Sequence, residues 1–146
     1  MLKGQPTLAL LNAIEAAIAA IPVGPATYEL VLFTGNPTLT ENTVLSDLTQ
    51  PTYTGYASVP LTAGTVRRDG AGNVILPLGT ATFQPTADPP STITVTGVGI
   101  ITGTTLYLAE YLDVPWVITS DLDALDVVVE WVVTNGAYYG AVCTVC

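Results

Sequence analysis

Apolar and polar positions alternate with a period of two along most of this chain, the signature of half-buried β-strands. In "TYELVLFTG", Tyr28, Leu30 and Leu32 fall on one side against Glu29, Val31 and Phe33. "STITVTGVGIIT" sets Ile93 and Val95 opposite Thr92, Thr94 and Thr96, and "TTLYLAEYLDVP" sets Leu106 and Leu108 opposite Tyr107, Ala109 and Tyr111. In "DVVVEWVVT", Val127, Val129, Trp131 and Val133 share one face, with Asp126, Val128, Glu130 and Val132 on the other. One stretch follows a different period. Leu8, Leu11, Ile14, Ile18 and Ile21 recur at steps of three and four between Pro6 and Pro22, which predicts a short N-terminal helix. Its alanines (Ala13, Ala16, Ala17, Ala19, Ala20) would let another surface approach closely. Two placements stay open for it: a cap on the domain's own core, or an arm docked on a partner.

Breaks between the alternating runs complete the outline. "NPTLTENTVLSDLTQPTY" reads as a long connection with one helical turn at Val44 to Leu48, and "ADPPS" interrupts the sheet. Asp69-Gly70 signals a hairpin turn between "YTGYASVPL" and "GNVILPLG", and "TATFQP" carries the sheet onward. About eight short strands with turn signals roughly every 8–12 residues predict a mainly β fold, a β-sandwich or jelly-roll-like domain with a short N-terminal α-helix. The expected segments are a helix or arm over 1–25, the β domain over 26–135 and a tail over 136–146.

Composition changes the picture in one respect. Of 146 residues, 49% are apolar and only 10% are charged, against about 25% charged in ordinary globular chains. Scarcity of charge predicts that part of the surface is covered by another subunit, with a threonine-dressed β monomer as the plain alternative. The formal charge is −9, and Lys3, Arg67 and Arg68 are the only basic residues. Three cations cannot line a groove for phosphates, so nucleic acid is excluded as the main partner. Arg67 and Arg68 fall beside the hairpin turn, either as a solvated tip or as a contact to a neighbouring acidic subunit. "MLKGQPTLALLNAIEAAIAAIPVGPA" mimics a secretion signal, but Asn12 and Glu15 interrupt its apolar stretch, and it reads as a retained helix. No uninterrupted apolar run approaches the roughly 18 residues of a membrane span.

Candidate chemistry is sparse. The chain has no histidine, which removes histidine-based acid–base catalysis, the triads that depend on it and most zinc and copper sites. Without histidine, Ser46, Ser58, Ser91 and Ser120 have no such base to activate them. Asp121, Asp123 and Asp126 form the densest acidic group. Against a calcium-binding EF-hand loop counted from Asp121, Leu125 stands at position 5, Asp126 at position 6 and Val132 at position 12; the pattern needs an oxygen ligand, glycine and glutamate there. Asp121, Asp123 or Glu110 could serve as carboxylate catalysts only in a cleft. In a short connection between strands, aspartates favour turns by bonding their own backbone, and a turn is the expected role. Cys143 and Cys146 form a CxxC spacing with no helix following, leaving incidental or tail-anchoring thiols, a disulfide within or between chains, or a functional pair. No cofactor, no metal and no enzymatic activity are expected.

The order of segments resembles small virion proteins of tailed bacteriophages, of the capsid decoration (cement) or minor structural type. The stretches that carry the resemblance are "LVLFTG", "TVLSDLT" before "PTYTGYA", and "TLYLAEYLDVPWVI", within residues 28 to 133. None is a catalytic signature, and the terminal cysteines fall outside the pattern. The resemblance implies a non-enzymatic protein on the outside of the capsid, assembled in the host cytoplasm. It also implies a homo-oligomer, in the form of a trimer, that contacts the major capsid protein and neither nucleic acid nor membrane. Interface candidates are Leu8, Leu11, Ile14 and Ile18 on the helix stripe, Arg67 and Arg68, and Tyr107 and Tyr111. The alternative expectation is a tail, neck or host-binding module on the same β framework, with Tyr138 and Tyr139 as stacking groups for a carbohydrate or receptor.

Overall fold

The computed structural model describes residues 28–133 and 139–145. The predicted N-terminal helix, and with it Leu8, Leu11, Ile14 and Ile18, lies outside the described residues. Within them the chain forms eight strands: β1 (Tyr28–Thr34), β2 (Val59–Leu61), β3 (Arg67–Arg68), β4 (Val74–Phe83), β5 (Ile93–Thr102), β6 (Thr105–Ile118), β7 (Leu125–Val133) and β8 (Tyr139–Val145). They make two four-stranded sheets, ordered β2-β1-β5-β6 and β3-β4-β7-β8, and every neighbouring pair is antiparallel. The chain lays down hairpins on the two sheets in turn. β1 and β2 enter the first sheet, β3 and β4 the second, β5 and β6 return to the first, and β7 and β8 complete the second.

Both sheets contribute to one apolar cluster. Leu30 and Leu32 from β1, with Val95, Val98 and Ile100 from β5, meet Leu76, Leu78 and Ala81 from β4 and Val127 and Val129 from β7. Leu30, Leu32, Val95, Val127 and Val129 lie where the period-two pattern places them, while the register shifts after Val95 and Pro77 separate Val98 from Val95 and Ala81 from Leu78 by three residues. Each such leucine or valine removed from water contributes roughly 1.5–3 kcal/mol. Backbone bonds also tie the sheets together beyond β2, where Thr62 N–H donates to the Leu78 carbonyl (3.1 Å) and Gly64 N–H to the Pro77 carbonyl (2.8 Å).

The middle of sheet one is buried on its second face as well, and the cause is a pair of glycines on β5. Val31 and Phe33 point away from the main cluster yet are fully buried. Phe33 pairs across the ladder with Gly97, and Gly97 with Tyr111. The Phe33 and Tyr111 rings meet edge to face, with centroids 5.5 Å apart, over the space that a side chain at Gly97 would fill. A β-carbon there would stand 2.1 Å from Phe33 Cζ and 2.5 Å from the Glu110 carbonyl oxygen. Two residues on, a β-carbon at Gly99 would lie 3.0 Å from Leu106 Cδ1 and 3.2 Å from Val31 Cγ2. The missing side chains let β1 and β6 close over β5 from both sides.

The long connection after β1 folds against this face. Thr34 N–H donates to the Thr49 carbonyl (2.8 Å), Thr96 Oγ1 donates to the Gly35 carbonyl (2.6 Å), and the Tyr111 hydroxyl donates to the Pro37 carbonyl. The helical turn expected near Val44–Leu48 is present as a 3₁₀ turn at Leu45–Asp47, with Asp47 Oδ2 accepting from Val44 N–H at 2.9 Å. Because β2 pairs with β1 only at Tyr28–Leu30, Leu32 N–H meets no strand there. The Tyr56 hydroxyl accepts it at 3.0 Å and donates to Gln50 Oε1 at 2.7 Å.

The connections differ in detail from those expected. "YTGYASVPL" does not form a hairpin arm with β4; its strand, β2, pairs with β1, and the partner of β4 at the turn is the two-residue β3. That turn is longer than an Asp-Gly two-residue loop. Asp69 N–H bonds the Asn73 carbonyl, Asp69 Oδ1 accepts from the N–H groups of Ala71 and Asn73, and the positive φ falls on Gly72 (83°) rather than Gly70. "GNVILPLG" and "TATFQP" are one strand, β4, whose register shifts between Pro77 and Gly79, where Gly79 takes φ 91°. Residues 139–145, within the segment read as a tail, form β8, which pairs with β7 from Val127 to Val133.

Gly97→Ala is expected to destabilise the domain by about 3 kcal/mol or more, because both close neighbours are a packed ring and backbone. Gly70→Ala, with nothing within 4 Å of the new carbon, should change stability by less than about 0.5 kcal/mol. Paired urea unfolding curves compare the two, and equal midpoints would remove the close-packing account.

Candidate docking surface

β6 is an edge strand of sheet one, and the closure over Gly97 fixes it in place. Of the six large apolar side chains exposed among the described residues, four stand on this strand: Tyr107, Tyr111, Val114 and Val117. The other two are Val44 and Leu122. Isolated exposed apolar residues are ordinary, but four on one edge strand set that strand apart from the rest of the described surface.

The strand's register shows how Val114 comes to be displayed. Val95 opposes Trp116 and Gly97 opposes Tyr111, so Leu112, Asp113, Val114 and Pro115 stand against Thr96 alone. The extra residues loop out of the ladder. Leu112 turns inward and is buried, while Asp113, Val114 and Pro115 are exposed, with Val114 at 71%. Trp116 re-anchors the strand, packing against the core with its ring edge-on to Tyr53 at 6.2 Å. Val117 beyond it is 49% exposed.

Tyr107 and Tyr111, expected at an interface, are both exposed, at 55% and 39%. Neither is loose. Tyr111 is held by Phe33 and the Pro37 carbonyl, and the Tyr107 ring stands edge-on to Tyr28 at 6.0 Å. A cavity of about 390 Å³ lies beside Tyr107, between the turn at 39–43 and Leu106 to Ala109 of β6. Val114 and Val117 were missed by sequence reasoning; the only signal for them was a proline inside an apolar run, which marks an edge or a bulge.

Arg67 and Arg68 lie apart from this strand, on β3 of the other sheet. Arg67 Nη2 forms an ion pair with Glu130 Oε1 at 2.7 Å within the chain. Both side chains are substantially exposed, so the pair adds at most about 1 kcal/mol. The structure therefore gives Arg67 an acidic partner on its own β7.

The aspartates do the work of a turn. Asp123 Oδ2 accepts from Thr119 N–H (2.6 Å), Ser120 N–H (2.9 Å) and Thr119 Oγ1 (3.0 Å). These bonds to the ionised form, the Thr119 N–H foremost, hold the Asp123 carboxyl below its ordinary range. Asp121 N–H donates to Asp88 Oδ1 and its carbonyl accepts from Gln84 Nε2. Asp126 already belongs to β7, where it accepts from Thr82 Oγ1 at 2.6 Å. Among the described residues, no group of three or more histidine, cysteine or acidic side chains is placed to hold a metal ion. At the other turn Asp69 is likewise lowered, chiefly by the Asn73 side chain. Burial pushes the Tyr53 phenol up to about 12, with the neighbouring Tyr56 adding to it. Cys143 lies on β8 opposite Val129, and Cys146 lies outside the described residues, as does Tyr138. No helix among the described residues is long and apolar enough to cross a membrane.

No protein family, curated protein or solved structure matches this chain.

Since Asp123 and Asp69 titrate lower in the folded chain, their contribution to stability is complete above the unfolded carboxylate value of about 3.9. It is lost as pH falls through their folded values. Asp123→Asn should therefore lower the melting temperature at pH 7 by a few degrees and by less at pH 3. Thermal melts at the two pH values read this directly, and an unchanged difference between variant and parent would show that the carboxylate charge is immaterial.

Proposed function

We propose that this protein is a structural component of a phage virion, a decoration or cement protein that binds the outside of the capsid shell as a homotrimer and stabilises it. In this reading the two sheets pack face to face as a β-sandwich of the jelly-roll kind. The observation that carries it is the concentration of exposed apolar side chains on one rigidly held edge strand of a charge-poor chain. A cement protein requires a stiff body and an apolar face for its neighbours. It requires no reaction centre. Each copy gains little from such contacts after the cost of association, but the gain is repeated over the whole shell. The resemblance of "LVLFTG", "TVLSDLT" and "TLYLAEYLDVPWVI" to decoration proteins supports the same reading, as does a net charge of −9 that suits a position away from packaged DNA.

In this assignment the contact surface is the outward side of β6, centred on Val114 and Val117. Tyr107 and Tyr111 flank it on the same strand. Major capsid protein is the partner, and other copies of this chain complete the trimer.

Co-sedimentation with phage head particles lacking the protein should show saturable binding, and sedimentation velocity should show a trimer. Val114→Asp with Val117→Asp is expected to weaken binding by at least about tenfold, since burying each valine is worth roughly 1.5 kcal/mol or more. Both sites are exposed, so the melting temperature should stay within a few degrees. A strict monomer that ignores heads, or binding to tails instead, would refute the decoration reading.

A further inference from the structure

The cavity beside Tyr107 combines features that a mere gap between a loop and a strand would not need. Leu106 and Leu108 line it from β6 and Leu39 from the connection after β1. Tyr107, exposed to solvent and edge-on to Tyr28, lines it as well. The facing rim is the turn at 40–43, which locks itself. Thr43 N–H donates to the Thr40 carbonyl (3.1 Å), Thr40 N–H to Thr43 Oγ1 (2.8 Å) and Asn42 N–H to Thr40 Oγ1 (3.2 Å). In both hydroxyls the oxygen is used as an acceptor, and each O–H is left to donate. Glu41 lines the cavity from the exposed part of this turn, and its carboxylate has no hydrogen bond or ion pair among the described residues. A carboxylate beside an aromatic face on a chain of charge −9 selects for positive charge and against anions.

We propose that this cavity receives an arginine side chain presented by the protein on which the chain docks. The guanidinium suits the site better than an ammonium. It is planar, so it stacks on the Tyr107 ring while its forked N–H groups reach Glu41. Its methylene stem lies along Leu106 and Leu108. This chain cannot furnish many such groups to a second copy, since Lys3, Arg67 and Arg68 are its only cations and Arg67 is already paired with Glu130. The donor in this proposal is a partner of different sequence with an arginine on its surface. The inference rests on the docking reading above and names the chemistry of its partner.

The test uses the full chain and a small probe, N-acetyl-arginine amide, followed by backbone amide shifts. The expected result is saturable shifts confined to residues 40–43 and 106–109, with millimolar affinity that weakens as salt is added. Glu41→Gln and Tyr107→Leu should each weaken binding by about threefold or more. Glu41 is on an exposed turn, so that variant keeps its fold even if Tyr107→Leu loosens β6. Absence of localised shifts, affinity unchanged in Glu41→Gln, or an equal response to methyl glucoside would overturn the proposal, the last by making the cavity a sugar site. Arginine binding without head binding would sink the decoration reading alone, and head binding without arginine binding would sink this inference alone.

Discussion

The interaction on which the rest of this structure depends is the closure of Phe33 and Tyr111 over Gly97. A central strand buried on one face normally presents polar side chains on the other. Here β5 presents bare backbone at Gly97 and Gly99, and the neighbouring strands use the vacated space. Val31 and Leu106 meet over one glycine, the two aromatic rings over the other. The result is a second apolar layer on the outside of sheet one, without the thickness of another sheet. Aromatic packing across a strand glycine also offsets the entropy that glycine loses on folding.

That closure has consequences at both ends of the chain's interactions. It pins Tyr111, whose hydroxyl then reaches the Pro37 carbonyl and draws the connection after β1 down over the sheet. It also pins β6 at Tyr111, immediately before the four residues that leave the ladder, while Trp116 and Ile118 secure the strand after them. Val114 is thus displayed from a loop anchored on both sides. An apolar group held in this way loses little conformational freedom when it meets a neighbour, which is the condition under which a small contact yields useful affinity.

How legible this was in the sequence divides along physical lines. Strand identity in β1, β5 and β7 could be read because period-two alternation is local, and the inward set Leu30, Leu32, Val95, Val127 and Val129 is the core that forms. The turn role of Asp121 and Asp123 was legible for the same reason: a short side chain bonding backbone within four residues leaves its mark within that span. Pairing was not legible. Whether β2 joins β1 or β4 depends on contacts across the whole fold, and its three residues carry too little pattern to decide. Nor did "TVTGVGIIT" disclose that its glycines are covered, since a strand glycine alone signals a bulge or a close approach without naming what approaches. Exposure of Val114 and Val117 was hidden because an apolar run reads as interior until the register shows four residues opposing one.

The shape of β6 also bears on which kind of contact this edge can make. A long apolar edge strand is a hazard, because its free backbone groups invite uncontrolled pairing with other chains. This one carries three devices against that outcome: the excursion at 112–115 breaks the straight run of backbone, Pro115 removes a donor, and Asp113 places a charge on the exposed loop. Together they discourage strand addition along β6 while leaving Val114 and Val117 uncovered. A sequence selected only for solubility would have replaced those valines as well. Blocking the backbone and keeping the side chains favours docking through side-chain shape, in which geometry fixes how many partners can be accommodated. Such a contact can saturate at a defined number of sites, whereas open edge pairing would continue without limit.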